Sequence, residues 1–283
     1  MRIINFEIGG SPGIAADEGS GWHGLTQRDG GFPGTLPELI AQGADLLGIG
    51  RSLGQSPAID LSAVRLLPPV PVPSKILAVG LNYNDHLEES GLKKPDYPEI
   101  FARFATSLIA HQEPIRRPRE STALDYEAEL AVVIGKPGRR IPKEQALDHV
   151  AGYSLFNDAS LRDFQLRTPQ WTMGKNFDGT GSFGPWLVTP DAVPPGARGL
   201  RIQGRLNGRV MQDSRTDLLI FSVATLIETI SVAMSLERGD VIITGTPGGV
   251  GAARKPPVFM KAGDIFEVDI EGLGVLTNPV QDD

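Results

Sequence analysis

Three acids, Asp125, Glu127 and Glu129, stand at alternate positions in the run Leu124–Ile134. The run reads as a β-strand, with Leu124, Tyr126, Ala128 and Leu130 on one face and the acids on the other. Beyond them, Ala131–Ile134 is core-like on both faces. Carboxylates two apart on a strand lie roughly 7 Å from one another on one face. When buried they repel and resist desolvation, so they must take up protons or find a cation. Oxygen donors with no cysteine or histidine beside them suit a hard divalent ion, Mg2+, Ca2+ or Mn2+. A solvated acidic face on an antiparallel strand is the competing reading, and the alternation alone leaves both open.

Other groups with chemistry to offer flank this run. His86 and Glu89 are three apart in the segment Gly80–Gly91. A carboxylate one helical turn from an imidazole orients it and stabilises its charged form, as a general base requires. Asn157–Asp158 ends a strand, and Ala159–Gln165 reads as the helical turn after it, with Arg162 and Gln165 sharing a face near Asp158. Lys175 sits in a glycine-flanked loop, Trp171–Gly179, between aromatics. Taken singly, each has a plain explanation: a solvated histidine, a surface pair, a loop cation.

The elements that must hold these groups are mostly strands. Short strand-like pieces, Arg2–Ile8 and Gly24–Thr26, precede a helix expected over Leu36–Leu47. The proline-rich passage Leu67–Pro73 is stiff and cannot join a central sheet, which marks it as the domain boundary. A small N-terminal domain (residues 1–69) and a catalytic domain (residues 70–283) follow from that division. Strands are expected at Lys75–Gly80, Tyr126–Ile134, Gly152–Asn157, Trp186–Val188 and Val241–Thr244. A hairpin, Leu200–Met211, turns at Asn207–Gly208, and a second pair, Ile265–Ile270 and Val275–Val280, turns at Glu271–Gly274. One long amphipathic helix spans Ser222–Leu236, with Gly239 suited to its C-terminal cap. The pattern is mixed, β-rich α+β, without regular βαβ alternation.

Composition narrows the function. The 283 residues carry a net charge of −7 with no basic stripe, which argues against nucleic acid. Hydrophobic content of 40% and charged content of 22% are those of a globular chain with a real core. No stretch is apolar enough to span a bilayer and the N-terminus lacks a leader pattern, so the cytoplasm is the expected address. The absence of cysteine excludes disulfides, thiolate sites and cysteine nucleophiles. Gly245–Gly251 follows a strand as a dinucleotide loop should, but no helix opens after it. Met173–Gly–Lys175 lacks the rest of a phosphate loop, Gly181–Gly184 lacks the spacing of a serine elbow, and His86–Glu89 has no second histidine for zinc. His23, His111 and His149 have no carboxylate at helical or strand spacing.

In combination the remaining motifs resemble the fumarylacetoacetate hydrolase family. They are Gly80–Leu–Asn–Tyr83 with His86, Asp125–Tyr–Glu–x–Glu129 running into Leu–Ala–Val–Val–Ile–Gly135, Phe156–Asn–Asp158 with Arg162 and Gln165, Gly174–Lys175, Gly184–Pro–Trp186 and Thr244–Gly251. The similarity runs in the family's order over about residues 70–280. It implies a β-roll catalytic domain, a homodimer and a divalent cation, usually Mg2+, held by Glu127, Glu129 and Asp158, with Asp125 a neighbour of the site. By the same resemblance His86 and Glu89 are the water-activating pair. Lys175, Arg162 and Gln165 surround the substrate carbonyls, and Tyr83, Gly245 and Thr246 touch substrate. The family's eukaryotic namesake uses a further acid, from far along its chain, that has no identified counterpart here. Glu89 instead resembles the arrangement in shorter acylpyruvase-like members.

The activity expected from this is hydrolysis of a carbon–carbon bond in an acylpyruvate-type diketo acid, such as maleylpyruvate or fumarylpyruvate from aromatic-ring degradation, giving pyruvate and a carboxylic acid. Oxaloacetate decarboxylation, keto–enol isomerisation or dehydration on the same metal–enolate apparatus is the alternative. A metal-containing binding protein without turnover is the reading from another class, and the intact His86, Glu89 and Lys175 argue against it.

Overall fold

Ala128–Ile134 is buried along its whole length because both its faces and both its edges are covered. In the computed structural model, which describes residues 1–85 and 94–283, it lies inside an eleven-stranded mixed sheet. From one edge the order runs His23–Thr26, Ser11–Asp17, Arg2–Ile8, Gly181–Val188, Val150–Asp158, Ala128–Ile134, Val241–Ile243, Ile76–Gly80 and Glu99–Arg103. Arg65–Leu67 and Leu108–Ile109 pair beside this path. Val241–Ile243 runs parallel to Ile76–Gly80, while Ala128–Ile134 is antiparallel to both its neighbours.

The alternation of the central strand sends its side chains into two cores. Leu130, Val132 and Ile134 pack with Ile202, Phe266 and Val268 of a second, five-stranded sheet and with Leu226, Ile227 and Ile230 of the helix Val223–Ala233. Ala131 and Val133 pack on the other side with Leu36, Leu39, Ile40 and Leu53 from two short helices, Leu36–Gln42 and Leu46–Leu53. Each fully buried aliphatic side chain contributes roughly 1.5–3 kcal/mol, so the strand carrying the acids is among the best-anchored pieces of the molecule. The result is a mixed, β-rich α+β fold of helices, large sheet and small sheet. The first strands of the chain belong to the large sheet, through Arg2 and Ile3 paired with Val188 and Leu187.

Both expected hairpins form. Arg201–Leu206 and Arg209–Arg215 turn at Asn207 (φ 52°) and Gly208 (φ 76°), the two left-handed residues that a type I′ turn needs. Ile265–Ile270 pairs with Gly274–Asp282.

Three expectations need correction. The helix read over Leu36–Leu47 is two helices, because Gly43 takes a left-handed conformation (φ 70°) that caps the first, and Asp45 caps the second by accepting from Gly48 N at 3.0 Å. The helix read over Ser222–Leu236 starts at its Ser222 cap but stops at Ala233. Leu236 instead exchanges two backbone hydrogen bonds with Gly138, at 2.8 and 3.0 Å, and Gly239 belongs to the following turn. The strand read over Tyr126–Ile134 is interrupted, with Leu124–Asp125 paired to Ser160–Leu161 and a new strand starting at Ala128.

Candidate active site

That interruption decides where the acids point. Glu127 falls in the gap, where its N–H donates to Asn157 Oδ1 at 3.0 Å and its carbonyl accepts from Asp158 N at 3.0 Å. Ala128 pairs with Asn157 and Glu129 with Phe156, so Asp158 on the adjacent strand comes alongside Glu127. Glu127, Glu129 and Asp158 are all buried, and each offers a carboxylate oxygen within 4.8 Å of the others. Asp125 is turned elsewhere. Its Oδ2 accepts from Arg162 Nε at 2.8 Å and Ala252 N at 2.9 Å, and its Oδ1 from Gly251 N at 2.7 Å.

Three cationic side chains answer the acids. Lys175 is buried, and its Nζ donates at 2.7 Å to both Glu127 Oε2 and Asp158 Oδ2. It closes a single helical turn, Thr172–Lys175, instead of riding on an exposed loop. Arg162 Nη1 reaches Glu127 Oε1 at 2.8 Å and Gln165 Oε1 at 2.8 Å. Arg103, from the strand Glu99–Arg103, pairs with Asp158 and donates to Thr180 Oγ1 at 2.9 Å. Burial, followed by the charges of Asp158 and Glu127, pushes the Glu129 carboxyl well above the usual carboxylate range; Lys175 and the Gly245 N–H, 2.5 Å away, do not outweigh them. Burial opposes the Arg162 charge, but Asp125 and Glu127 reverse the balance and raise its pKa.

Four buried carboxylates therefore face three cations, and Glu129 has no cationic side chain against it among the described residues. An all-oxygen donor set with one uncompensated negative charge fits a hard divalent cation. Binding one would overcompensate by a single charge and leave the site attractive to an anionic ligand.

A cavity of about 430 Å³ opens onto Glu127, Glu129, Arg162, Gln165, Lys175 and Thr246. Its apolar wall includes Val79, Leu166, Val250 and an edge-on pair, Phe101 and Trp171, with ring centroids 5.4 Å apart. Trp171 closes on Gly80 so tightly that a β-carbon there would stand 2.2 Å from its ring, and at Gly174 one would stand 2.4 Å from the Gln165 backbone. Both glycines are thus demanded by the wall. Arg162 Nη2 is buried with no hydrogen-bond partner among the described residues.

The other residues singled out from sequence distribute as follows. Thr246 lines the cavity, donating to Ala128 O at 3.0 Å and accepting from Gln212 Nε2 at 2.7 Å. Gly245, left-handed at φ 104°, offers its N–H to Glu129. Tyr83 is fully buried behind the site, with burial and then Glu129 raising its phenol pKa, and its hydroxyl has no partner among the described residues. His86 and Glu89 lie outside the described residues. His23 Nδ1 and His149 Nδ1 each bond a backbone carbonyl at 2.8 Å. Sequence reasoning missed Arg103 and Phe101, and gave Asn157 and Trp171 no role of their own in the site. An arginine ending a strand and an asparagine in an N–D pair carry no spacing signal for such roles.

Known proteins share this architecture. Residues 75–281 match the family model described as fumarylacetoacetate (FAA) hydrolase, C-terminal. A Xenopus laevis protein named as a mitochondrial oxaloacetate tautomerase is 40% identical, over 99% of this chain and 90% of its own. A solved fumarylacetoacetate hydrolase from Exiguobacterium antarcticum is 36% identical with a TM-score of 0.86, covering all of both chains. The maleylpyruvate hydrolase of Sphingobium sp. SYK-6, solved with manganese(II) and pyruvate, is 29% identical with a TM-score of 0.82, over 100% of this chain and 99% of its own. With a family model spanning the site strands and relatives matching end to end, the chain belongs to the fumarylacetoacetate hydrolase family, and it is an enzyme of that family.

Proposed function

We propose that this enzyme is a divalent-cation-dependent keto–enol isomerase of a small 2-oxo dicarboxylate of the oxaloacetate type. The observation that carries the reading is the convergence of Glu127, Glu129 and Asp158 beside buried Lys175, in one cavity with Arg162. The oxaloacetate tautomerase name belongs to a relative 40% identical over nearly the whole chain, whereas the maleylpyruvate hydrolase is 29% identical. Glu127, Glu129, Asp158, Lys175 and Arg162 serve either reaction. Tautomerisation needs an oxyanion stabilised and one proton moved, while carbon–carbon hydrolysis needs an activated water besides.

Glu127, Glu129 and Asp158 would hold the cation, Mg2+ by family resemblance with Mn2+ or Ca2+ as alternatives. When bound, it would polarise the keto oxygen and acidify the neighbouring carbon. Lys175 holds its ammonium where negative charge grows on that oxygen as the C–H proton leaves. Arg162, which lines the cavity, offers an N–H of its guanidinium to a substrate carboxylate. Phe101, Leu166 and Trp171 keep the cavity apolar on one side, which strengthens each of these electrostatic terms. The proton shuttle is assigned to His86 and Glu89. The homodimer implied by the family resemblance is retained as part of this proposal.

Acylpyruvate hydrolysis is the second reading, supported by the likeness to the maleylpyruvate hydrolase. Offering the protein enol-oxaloacetate, keto-oxaloacetate and acylpyruvates in parallel separates the two. The proposal expects enol absorbance to relax many times faster than the buffer rate, without stoichiometric pyruvate. Rapid acylpyruvate cleavage with no effect on oxaloacetate would replace it by the second reading.

A further inference from the structure

The proposed mechanism leaves Asp125 unused, although it is fully buried and accepts four hydrogen bonds. Its Oδ1 accepts from Tyr126 N at 2.8 Å and Gly251 N at 2.7 Å; its Oδ2 accepts from Arg162 Nε at 2.8 Å and Ala252 N at 2.9 Å. A carboxylate oxygen offers about two acceptor sites, so Asp125 has none to spare for a cation. The contact also shapes the chain around it. At Gly251 a β-carbon would stand 2.6 Å from Asp125 Oδ1 and 1.9 Å from Val258 O, so only glycine lets this backbone approach.

The bonds join two parts of one wall. Val250, Ala252 and Ala253 line the same cavity as Arg162. The Arg162 guanidinium is planar, with Nε on Asp125 and Nη1 on Glu127 and Gln165. Pinning those two nitrogens fixes the direction of the third, and Nη2 is the one without a partner among the described residues.

We infer that Asp125 is a positioning residue: it clamps Arg162 to the Gly251–Ala253 wall so that the guanidinium, which lines the cavity, meets the second carboxylate of a 2-oxo dicarboxylate. This rests on the keto–enol reading for the ligand class, but not on turnover. A monocarboxylate keto acid, whose one carboxylate would go with its keto oxygen to the end held by Glu127, Glu129 and Asp158, would gain nothing from the clamp. In Asp125→Asn, one side-chain oxygen becomes an N–H donor. Whichever way the amide turns, that donor faces other donors, either the Gly251 and Tyr126 amides or Arg162 Nε and the Ala252 amide.

The test uses the full-length protein with Mn2+, wild type against Asp125→Asn. Calorimetry should show oxaloacetate binding weakened about 10–100-fold, the range for a lost charge-assisted hydrogen bond, with pyruvate binding changed less than threefold. Hydrogen exchange at the Gly251 and Ala252 amides should quicken at least tenfold while Leu130–Val133 stays protected. Unchanged oxaloacetate affinity, or equal loss for both ligands, overturns the inference. If Asp125→Asn does not fold, the wild-type Arg162 Nε–H resonance decides, identified in the metal-free or Mg2+-loaded protein by its loss in Arg162→Lys. It should exchange slowly and, with Mg2+, shift with oxaloacetate but not with pyruvate; fast exchange or an equal response to both overturns the clamp. Wild type that binds oxaloacetate without interconverting its forms would sink the isomerase reading alone, and wild type that does not bind it sinks the clamp.

Discussion

Replacing Glu129 with Gln should remove cation binding while leaving the fold intact. The side chains have nearly the same shape, and the amide oxygen can still accept from Gly245 N, now at 2.5 Å from the carboxylate. What is lost is one of three converging charges. A ligand present at a hundred times its dissociation constant stabilises the folded state by about 2.7 kcal/mol, roughly 5–10 °C in melting temperature for a chain of this size. Losing even an outer-shell partner typically weakens a metal site 10–100-fold, so a hundredfold loss is a modest expectation for a ligand. At the same Mg2+ or Mn2+ concentration the stabilisation then falls to about 0.4 kcal/mol, within the noise of a melting curve. The pH dependence without cation supplies a second reading. Because the folded-state pKa of Glu129 is raised above its ordinary value of 4.5, its contribution is fully present below that value and is lost as pH rises through the raised one. Metal-free wild type should therefore lose stability with rising pH more steeply than Glu129→Gln. Differential scanning fluorimetry across pH, with and without cation, measures both effects. A variant that gains as many degrees from Mn2+ as wild type refutes the reasoning.

Three further predictions follow from the same geometry. Lys175→Met leaves Glu127 and Asp158 without their shared ammonium, so turnover should fall about 10²–10³-fold, and the metal-free protein should lose about 3–5 kcal/mol, read by urea titration. Arg103→Lys cannot reproduce the contacts to Asp158 and Thr180 together, and calorimetry should find cation affinity about 10–100-fold weaker with little change in melting temperature at fixed pH. His111 accepts from Thr277 N at 3.1 Å, and burial lowers its pKa from 6.5 to about 4. Its neutral form stabilises the fold above pH 6.5, and that stability is lost as pH falls towards 4. Wild type should lose about 2–3 kcal/mol relative to His111→Gln over this window, and parallel urea midpoints for the two would contradict it.

The sequence was most informative where a local rule met a buried strand. Alternation placed Leu130, Val132 and Ile134 opposite Ala131 and Val133, and the structure uses those two sets for its two cores. Asn207–Gly208 specified its own turn, since few other pairs accept two left-handed residues. Alternation was less informative about Asp125. It placed Asp125, Glu127 and Glu129 on one face, but the chain breaks at Tyr126–Glu127 and sends Asp125 to Arg162 instead. The break goes with the pairing of Leu124–Asp125 to Ser160–Leu161, more than thirty positions along the chain, which no local pattern announces. Arg103 was illegible for the same reason, because its partner Asp158 is 55 positions away and reaches it through tertiary packing. The helix ends at Gly43 and Ala233 were misjudged because amphipathic spacing continues past the point where a cap or a bridge stops the helix. The split at Leu67–Pro73 was drawn from stiffness alone, while Arg2–Ile8 reaches across to Gly181–Val188 in a register that no local pattern announces.

Locating the cation itself tests the account most directly. Crystals soaked in millimolar Mn2+ with pyruvate should give one strong anomalous peak bounded by carboxylate oxygens of Glu127, Glu129 and Asp158, with Asp125 outside its coordination shell. A peak at another site, or none at saturating Mn2+, would contradict the account.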